Sequence, residues 1–272
     1  MMPARSLKVV DFDQGRHVLR YRFPPIETPE DLQDAIVKLI GVRAGSMTPN
    51  KDRSFFTFGS CFAENLAAAL KLKGAKVYTT MVTEDVNSPF NNLMMLKRVF
   101  LDERSQFSEE LAANSNVNYD AMREEFAKAT HIIFTLGNIF RIKNDKGHML
   151  LPTKDAWLVR ETFDETVASL REVLALLRAH TNAEIFVSVS PIPISGYMGS
   201  EFLSAIEADC ASKCQLLTAI RTLSGFTYIP TFEIFRWLAA HQSFASFGSG
   251  GGNARHLYER HIGMVMGVLC RE

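Results

Sequence analysis

The chain has 272 residues, 47% of them hydrophobic, which suits one large domain or one domain with an extension and supplies a substantial core. Its 30 Lys and Arg balance 30 Asp and Glu, so the charge gives no footprint for nucleic acid or an anionic membrane surface. Met1 to Asp13 lacks the apolar centre of a secretory signal, no stretch has the length of a membrane-spanning helix, and the four cysteines form no C-x-x-C pair. The chain therefore reads as a soluble cytoplasmic protein with reduced, mostly packed thiols.

Leu7 to Phe12 and His17 to Phe23 flank Asp13-Gln14-Gly15 as a hairpin, and Pro24-Pro25 stops it. Thr28-Pro29-Glu30-Asp31 is a helix start leading into Leu32 to Ile40. Residues 1–50 thus form an N-terminal extension, hairpin plus helix, ahead of an α/β domain over 51–272. In that domain the pattern alternates. Ser54 to Phe58 reads as a strand, Phe62 to Lys73 as a helix closed by Gly74, and Ala75 to Thr79 as a second strand. Asn91 to Leu101 and Tyr119 to Ala129 read as helices. His131 to Leu136 is the nearly continuous apolar run of a strand buried on both faces. Thr162 to Ala179 is helical, Ile185 to Ser190 a buried strand, Phe202 to Leu223 a long helix, and Phe226 to Ile229 a short last strand. A Gly/Ser loop, Phe247 to Gly252, precedes a terminal helix over Glu259 to Leu269. Strands separated by helices imply a parallel sheet covered on both faces, a three-layer α/β/α sandwich.

Such a sheet places ligands at the carboxyl ends of its strands. Ser60 follows the first strand at a tight Gly-Ser turn into a helix, where its hydroxyl faces the positive helix end. Gly137-Asn138 follows the third strand, and His256 stands just before the terminal helix. Serine, amide and histidine are the parts of acyl transfer: the imidazole takes the hydroxyl proton and the amide NH₂ helps hold the oxyanion. Each also has a plainer role, as helix cap, turn residue and structural histidine. Cys61 is a rival nucleophile, since a helix N-terminus lowers a thiol pKa, but adjacent residues at a turn point in different directions. His131, His180 and His241 read as structural, and His148, in a polar loop, as solvated. No H-x-x-x-H spacing, phosphate-binding loop or G-x-S-x-G elbow occurs, so no metal site is expected.

Gly59-Ser60-Cys61-Phe62-Ala63 resembles the motif that names the GSCFA family, within the SGNH hydrolase-like group. Further matching stretches follow in order: Asn87 to Asn92, Thr135 to Asn138, Ser188 to Pro193, Ser212-Lys213 and Tyr228 to Glu233. The resemblance implies a flavodoxin-like, five-stranded parallel sheet. It implies Ser60 as nucleophile, the Ser60 N–H and Asn138 as oxyanion donors, and His256 as the histidine of the terminal D-x-x-H block. The activity implied is O-acyl (acetyl) ester hydrolysis or O-acyl transfer on a small acyl ester or carbohydrate, without a cofactor; acyl-CoA would be the donor substrate of a transferase. Two positions depart from the pattern. Asn253 stands where the block has its aspartate, so it can orient the imidazole but not stabilise its charge. No glycine lies between Gly74 and Gly137, so the oxyanion glycine is missing. A backbone N–H or the side chain of Asn87, Asn91 or Asn92 must replace it; Asn91 is assigned to the oxyanion, with Asn87, Asn92 and Tyr197 at the substrate. These departures keep open a second class, a weak or inactive carbohydrate-binding domain.

Overall fold

The computed structural model describes residues 10–12, 16–18, 26–81, 87–115, 117–150, 153–241, 245–248 and 254–270. The centre is a five-stranded sheet of β3 (Ser54–Gly59), β4 (Lys76–Met81), β5 (His131–Leu136), β9 (Glu184–Val189) and β10 (Thr227–Tyr228). The spatial order is β10-β9-β5-β3-β4, with every neighbouring pair parallel. Counted along the chain this is the 2-1-3-4-5 order of the flavodoxin-like sheet, whose switch point falls between β3 and β5. All six residues of β5 are buried, which is why that segment reads as an unbroken apolar run.

Alternation along the strands divides the core in two. Phe56, Phe58, Ile132 and Phe134 face one way, into a cluster with α3 (Pro89–Leu101), α5 (Tyr119–Lys128), α6 (Phe163–His180) and α7 (Ala205–Arg221). Phe55, Ile133 and Phe186 face the other way, against α1 (Pro29–Ile40), α2 (Cys61–Leu72) and α8 (Glu259–Leu269). Residues 26–47 share this second cluster: α1 packs on α8 and buries Leu32, Ile36 and Ile40. Capping boxes Thr28/Asp31 and Thr162/Glu165 fix the starts of α1 and α6. Ser204 caps α7, so that helix begins at Ala205 rather than at Phe202. Before α1, β1 (Val10–Phe12) and β2 (Arg16–Val18) pair antiparallel, Val10 opposite Val18; the turn expected at Asp13 to Gly15 lies outside the described residues.

Three elements differ from the sequence reading. Between β5 and α6 the chain builds a second, antiparallel sheet from β6 (Phe140–Asn144), β7 (Gly147–Met149) and β8 (Trp157–Arg160), in the order β7-β6-β8. A further helix, α4 (Gln106–Ser115), packs beside α3, and residues 233–238 after β10 form a π-helical turn. His148, expected in solvent, packs on Phe90 with ring centroids 4.3 Å apart; burial, with Arg141 and Lys143 nearby, pushes its pKa down to about 4. Cys210 and Cys214 are exposed on α7 rather than packed, while Cys270 is buried. Among the described residues no helix is long and apolar enough to cross a membrane.

Candidate active site

The carboxyl end of β3 comes so close to β5 that only glycine fits. Gly59 has φ +129°, and a Cβ there would stand 2.2 Å from the Thr135 carbonyl oxygen. Ser60, the next residue, is the N-cap of α2: its Oγ accepts from the Phe62 N–H at 3.3 Å. The Ser60 N–H, expected to serve the oxyanion, donates to Thr135 Oγ1 at 3.2 Å, and Ser60 as a whole is buried. Among the described residues Oγ only accepts, so the hydroxyl proton stays available to a base. Cys61, the rival, is half-buried at the first position of α2 and packs toward the α1/α2/α8 cluster.

Across the switch point, a clasp of asparagines fixes the end of β5. The Asn87 carbonyl accepts from both the Gly137 and Asn138 N–H groups, at 3.1 and 3.0 Å. Its side-chain NH₂ donates to the Thr135 carbonyl at 2.9 Å, and its Oδ1 accepts from Asn92 Nδ2 at 2.7 Å. Asn92 also donates to the Ser88 carbonyl, so both its amide protons are used. Asn87 and Asn92, expected at the substrate, are fully buried, with their amide NH₂ groups engaged by the protein. Asn91, expected at the oxyanion, is buried in the first turn of α3, its N–H donating to the Ser88 hydroxyl. In Asn138, Oδ1 accepts from the Phe140 N–H at 2.7 Å, which fixes the amide orientation.

His256 sits in the segment leading into α8, its ring half-buried. Its carbonyl accepts from the Gly248 N–H at 2.9 Å, and Leu257 anchors the segment in the α1/α2/α8 cluster. The neighbouring Arg255 donates from Nη1 to the Pro193 carbonyl at 2.7 Å, which ties this arm to the loop beyond the carboxyl end of β9. Ser60 and His256 thus both occupy arms at the carboxyl edge of the sheet. Among the described residues no hydrogen bond joins the Ser60 hydroxyl to the His256 ring. Asn253 lies outside the described residues. His261 is inside α8, where burial, with Arg260 adding, pushes its pKa down to about 4, so its ring is neutral.

A cavity of about 240 Å³ opens beside Asn138. Phe140, Ile142 and Leu158 wall it from the small antiparallel sheet; Ile194, Tyr197 and Met198 wall it from the loop after β9. Tyr197, expected at the substrate, borders this cavity, its ring against Phe140 and Phe202 and its hydroxyl accepting from the Glu201 N–H.

The GSCFA family profile matches residues 54–266, which span β3 to α8. The chain belongs to the GSCFA family. In this GSCFA chain the stretches that matched in sequence meet along one edge of the sheet. The Ser188 and Thr231 hydroxyls hydrogen-bond each other across the ends of β9 and β10, and Lys213 reaches from α7 to Gly137. No curated protein sequence matches the chain. Among solved structures, a carbohydrate esterase family 2 enzyme with a carbohydrate binding domain, from Corynascus thermopiles (Myceliophthora fergusii), is 12% identical with a TM-score of 0.40. That match covers 82% of this chain and 65% of the esterase chain. A Clostridium acetobutulicum trans-2-enoyl-CoA reductase in complex with NADH is 13% identical with a TM-score of 0.28, covering 97% and 78% of the two chains.

Two buried ionic features of the GSCFA domain were missed in the sequence. Lys213, 1% exposed, donates from Nζ to the Gly137 carbonyl, directly before Asn138, and lies 3.7 Å from Asp209 Oδ1. Asp209 also accepts from the Ile194 N–H and from Arg236. The signal was a Lys and an Asp four residues apart on the apolar stripe Ala208, Ser212, Leu216 of α7, where a solvated pair does not belong. Glu161, fully buried at the end of β8, bonds the Ser88 hydroxyl and the Phe90 N–H at the start of α3. Burial drives its pKa up to about 7 against those bonds and Arg141, and among the described residues Oε2 has no hydrogen-bond partner.

Proposed function

We propose that this chain is a serine-dependent acyl-ester enzyme, an esterase or O-acyltransferase, with Ser60 as nucleophile and His256 as base. One observation carries the reading. Ser60 at the positive end of α2 and Asn138 at the end of β5 flank the switch point of the sheet, each locked by buried backbone contacts. With the ester carbonyl against the Asn138 amide, His256 takes the Ser60 proton as Oγ bonds the carbonyl carbon. The carbon–oxygen bond to the alcohol then breaks, and the alcohol leaves with the proton from His256. Water, or a sugar hydroxyl, gives a proton to His256 and attacks the acyl-enzyme; Oγ recovers that proton as it departs. Asn253 orients the imidazole through its carbonyl, Asn91 assists the oxyanion, and Asn87 and Asn92 act as positioning residues for Asn138. Ser60 and His256 come into hydrogen-bond reach when substrate seats, as catalytic contacts that are long in the free enzyme do.

The test is a fluorophosphonate probe. The wild type is labelled, Ser60→Ala is not, and His256→Ala is labelled at least 10²-fold more slowly. A second reading, a non-catalytic carbohydrate-binding domain, is favoured by the burial of Ser60 and by the Thr135 hydroxyl on its N–H. Folded wild type that no probe labels, and that hydrolyses no p-nitrophenyl ester, would establish that reading instead.

A further inference from the structure

We infer that the cavity beside Asn138 is an acyl pocket that takes a medium-length aliphatic chain rather than acetate or a sugar ring. This rests on the acyl-enzyme reading of Ser60 and names the chain that Ser60 would carry. Its walls are Phe140, Ile142, Leu158, Ile194, Tyr197 and Met198, and no charged side chain is among the described lining residues. A sugar ring brings several hydroxyls, each costly to bury without a partner. Polar side chains at these walls are few: Asn138, Ser195, and a Tyr197 whose hydroxyl already accepts from the Glu201 N–H. An acyl chain asks for the reverse, one amide at the carbonyl and apolar walls beyond it.

Size sets the length. An apolar protein cavity of about 150 Å³ holds the six carbons of benzene. At about 240 Å³ this one has room for a chain of roughly eight carbons. Acetyl would leave most of it unfilled. Exposed apolar surface adjoins these walls in the chain: Met198, on the wall, is 65% exposed, and Leu203, a few residues further along, is 96% exposed.

Rates with p-nitrophenyl acetate, butyrate, hexanoate, octanoate and dodecanoate read the pocket. We expect kcat/KM to rise about fourfold for each buried methylene up to octanoate and then to fall. Leu158→Trp, at a half-buried strand position, fills the cavity and lowers the octanoate-to-acetate ratio at least tenfold; Leu158→Ala moves the optimum to a longer chain. The ratio is insensitive to a general loss of activity. A binding arm is independent of catalysis: octanoate binds Ser60→Ala in calorimetry, and Leu158→Trp in that background weakens it. Rates flat in chain length, or folded Ser60→Ala that does not bind octanoate, would overturn the pocket while leaving the nucleophile standing. Octanoate binding in a protein that no fluorophosphonate labels would uphold the pocket and sink the nucleophile.

Discussion

Replacing Glu161 by glutamine removes one ionisable group from the interior with almost no change of outline, and the pH dependence of stability reports it directly. In the fold the Glu161 carboxyl titrates at about 7 rather than 4.5, chiefly because it is buried. Between those values the folded state holds a proton that the unfolded chain has lost, so stability falls as pH rises. The contribution of the neutral acid is complete below pH 4.5 and gone above pH 7. From 4.5 to about 7, at about 1.4 kcal/mol per pH unit, that loss is about 3 kcal/mol. His148 and His261 work in the opposite sense. Their folded pKa values near 4 lie below the ordinary 6.5, so they add stability as pH rises through that window and mask the Glu161 slope in the wild type. Glu161→Gln isolates it. The stability of the variant relative to wild type should rise by about 3 kcal/mol between pH 4.5 and 8, whatever the constant offset between the two proteins. Urea unfolding with matched m-values at several pH values measures this. A difference constant to within about 0.5 kcal/mol over that range would refute the buried, neutral-at-acid-pH carboxyl.

Three other perturbations test the frame around Ser60 and Asn138. Lys213→Met strips the donor from the Gly137 carbonyl and one partner from Asp209, which keeps Arg236; about 2–4 kcal/mol of stability is lost, with kcat falling more than KM as Asn138 loosens. Denaturant midpoints and Michaelis constants check it, and a midpoint like wild type would show that the ammonium is not engaged. Asn87→Ala opens the clasp by removing the side-chain bonds to Thr135 and Asn92, costing about 2–3 kcal/mol by urea unfolding. Gly59→Ala drives a methyl onto the Thr135 carbonyl in a backbone region that L-residues avoid; about 2–4 kcal/mol is expected, read as a lowered thermal midpoint.

The three central strands were legible because they are buried on both faces. Phe55 to Phe58, His131 to Leu136 and Ile185 to Val189 leave no polar alternation to confuse a reader, and Gly59-Ser60 ends the first of them sharply. The antiparallel sheet was not legible. Arg141, Lys143 and Asn144 give β6 a polar sequence, yet Arg141 donates from Nη2 to Glu165 and lies over the Phe90 ring, and the Asn144 side chain accepts from the turn that follows it. α4 carries only three buried residues, too few for a clear stripe. At the candidate site the positions of the serine, amide and histidine were legible, because topology points to the loops that follow the strands. The groups beneath them were not. Lys213, Asp209 and Glu161 belong to residue types that sequence places in water, and only distant partners, 76 positions away in the case of Lys213 and Gly137, make their burial tolerable.

The hold of Arg255 on Pro193 is a grip on main chain, not on a side chain. No exchange of side chains along the rim can delete that acceptor. Residues 194–198, which give the cavity its outer wall, are therefore free to be redrawn for other ligands while the arm bearing His256 keeps its mooring. On the acyl-enzyme reading, selectivity and proton transfer are mechanically uncoupled at this edge of the molecule, and that is the condition under which one scaffold can change what it accepts in a few substitutions.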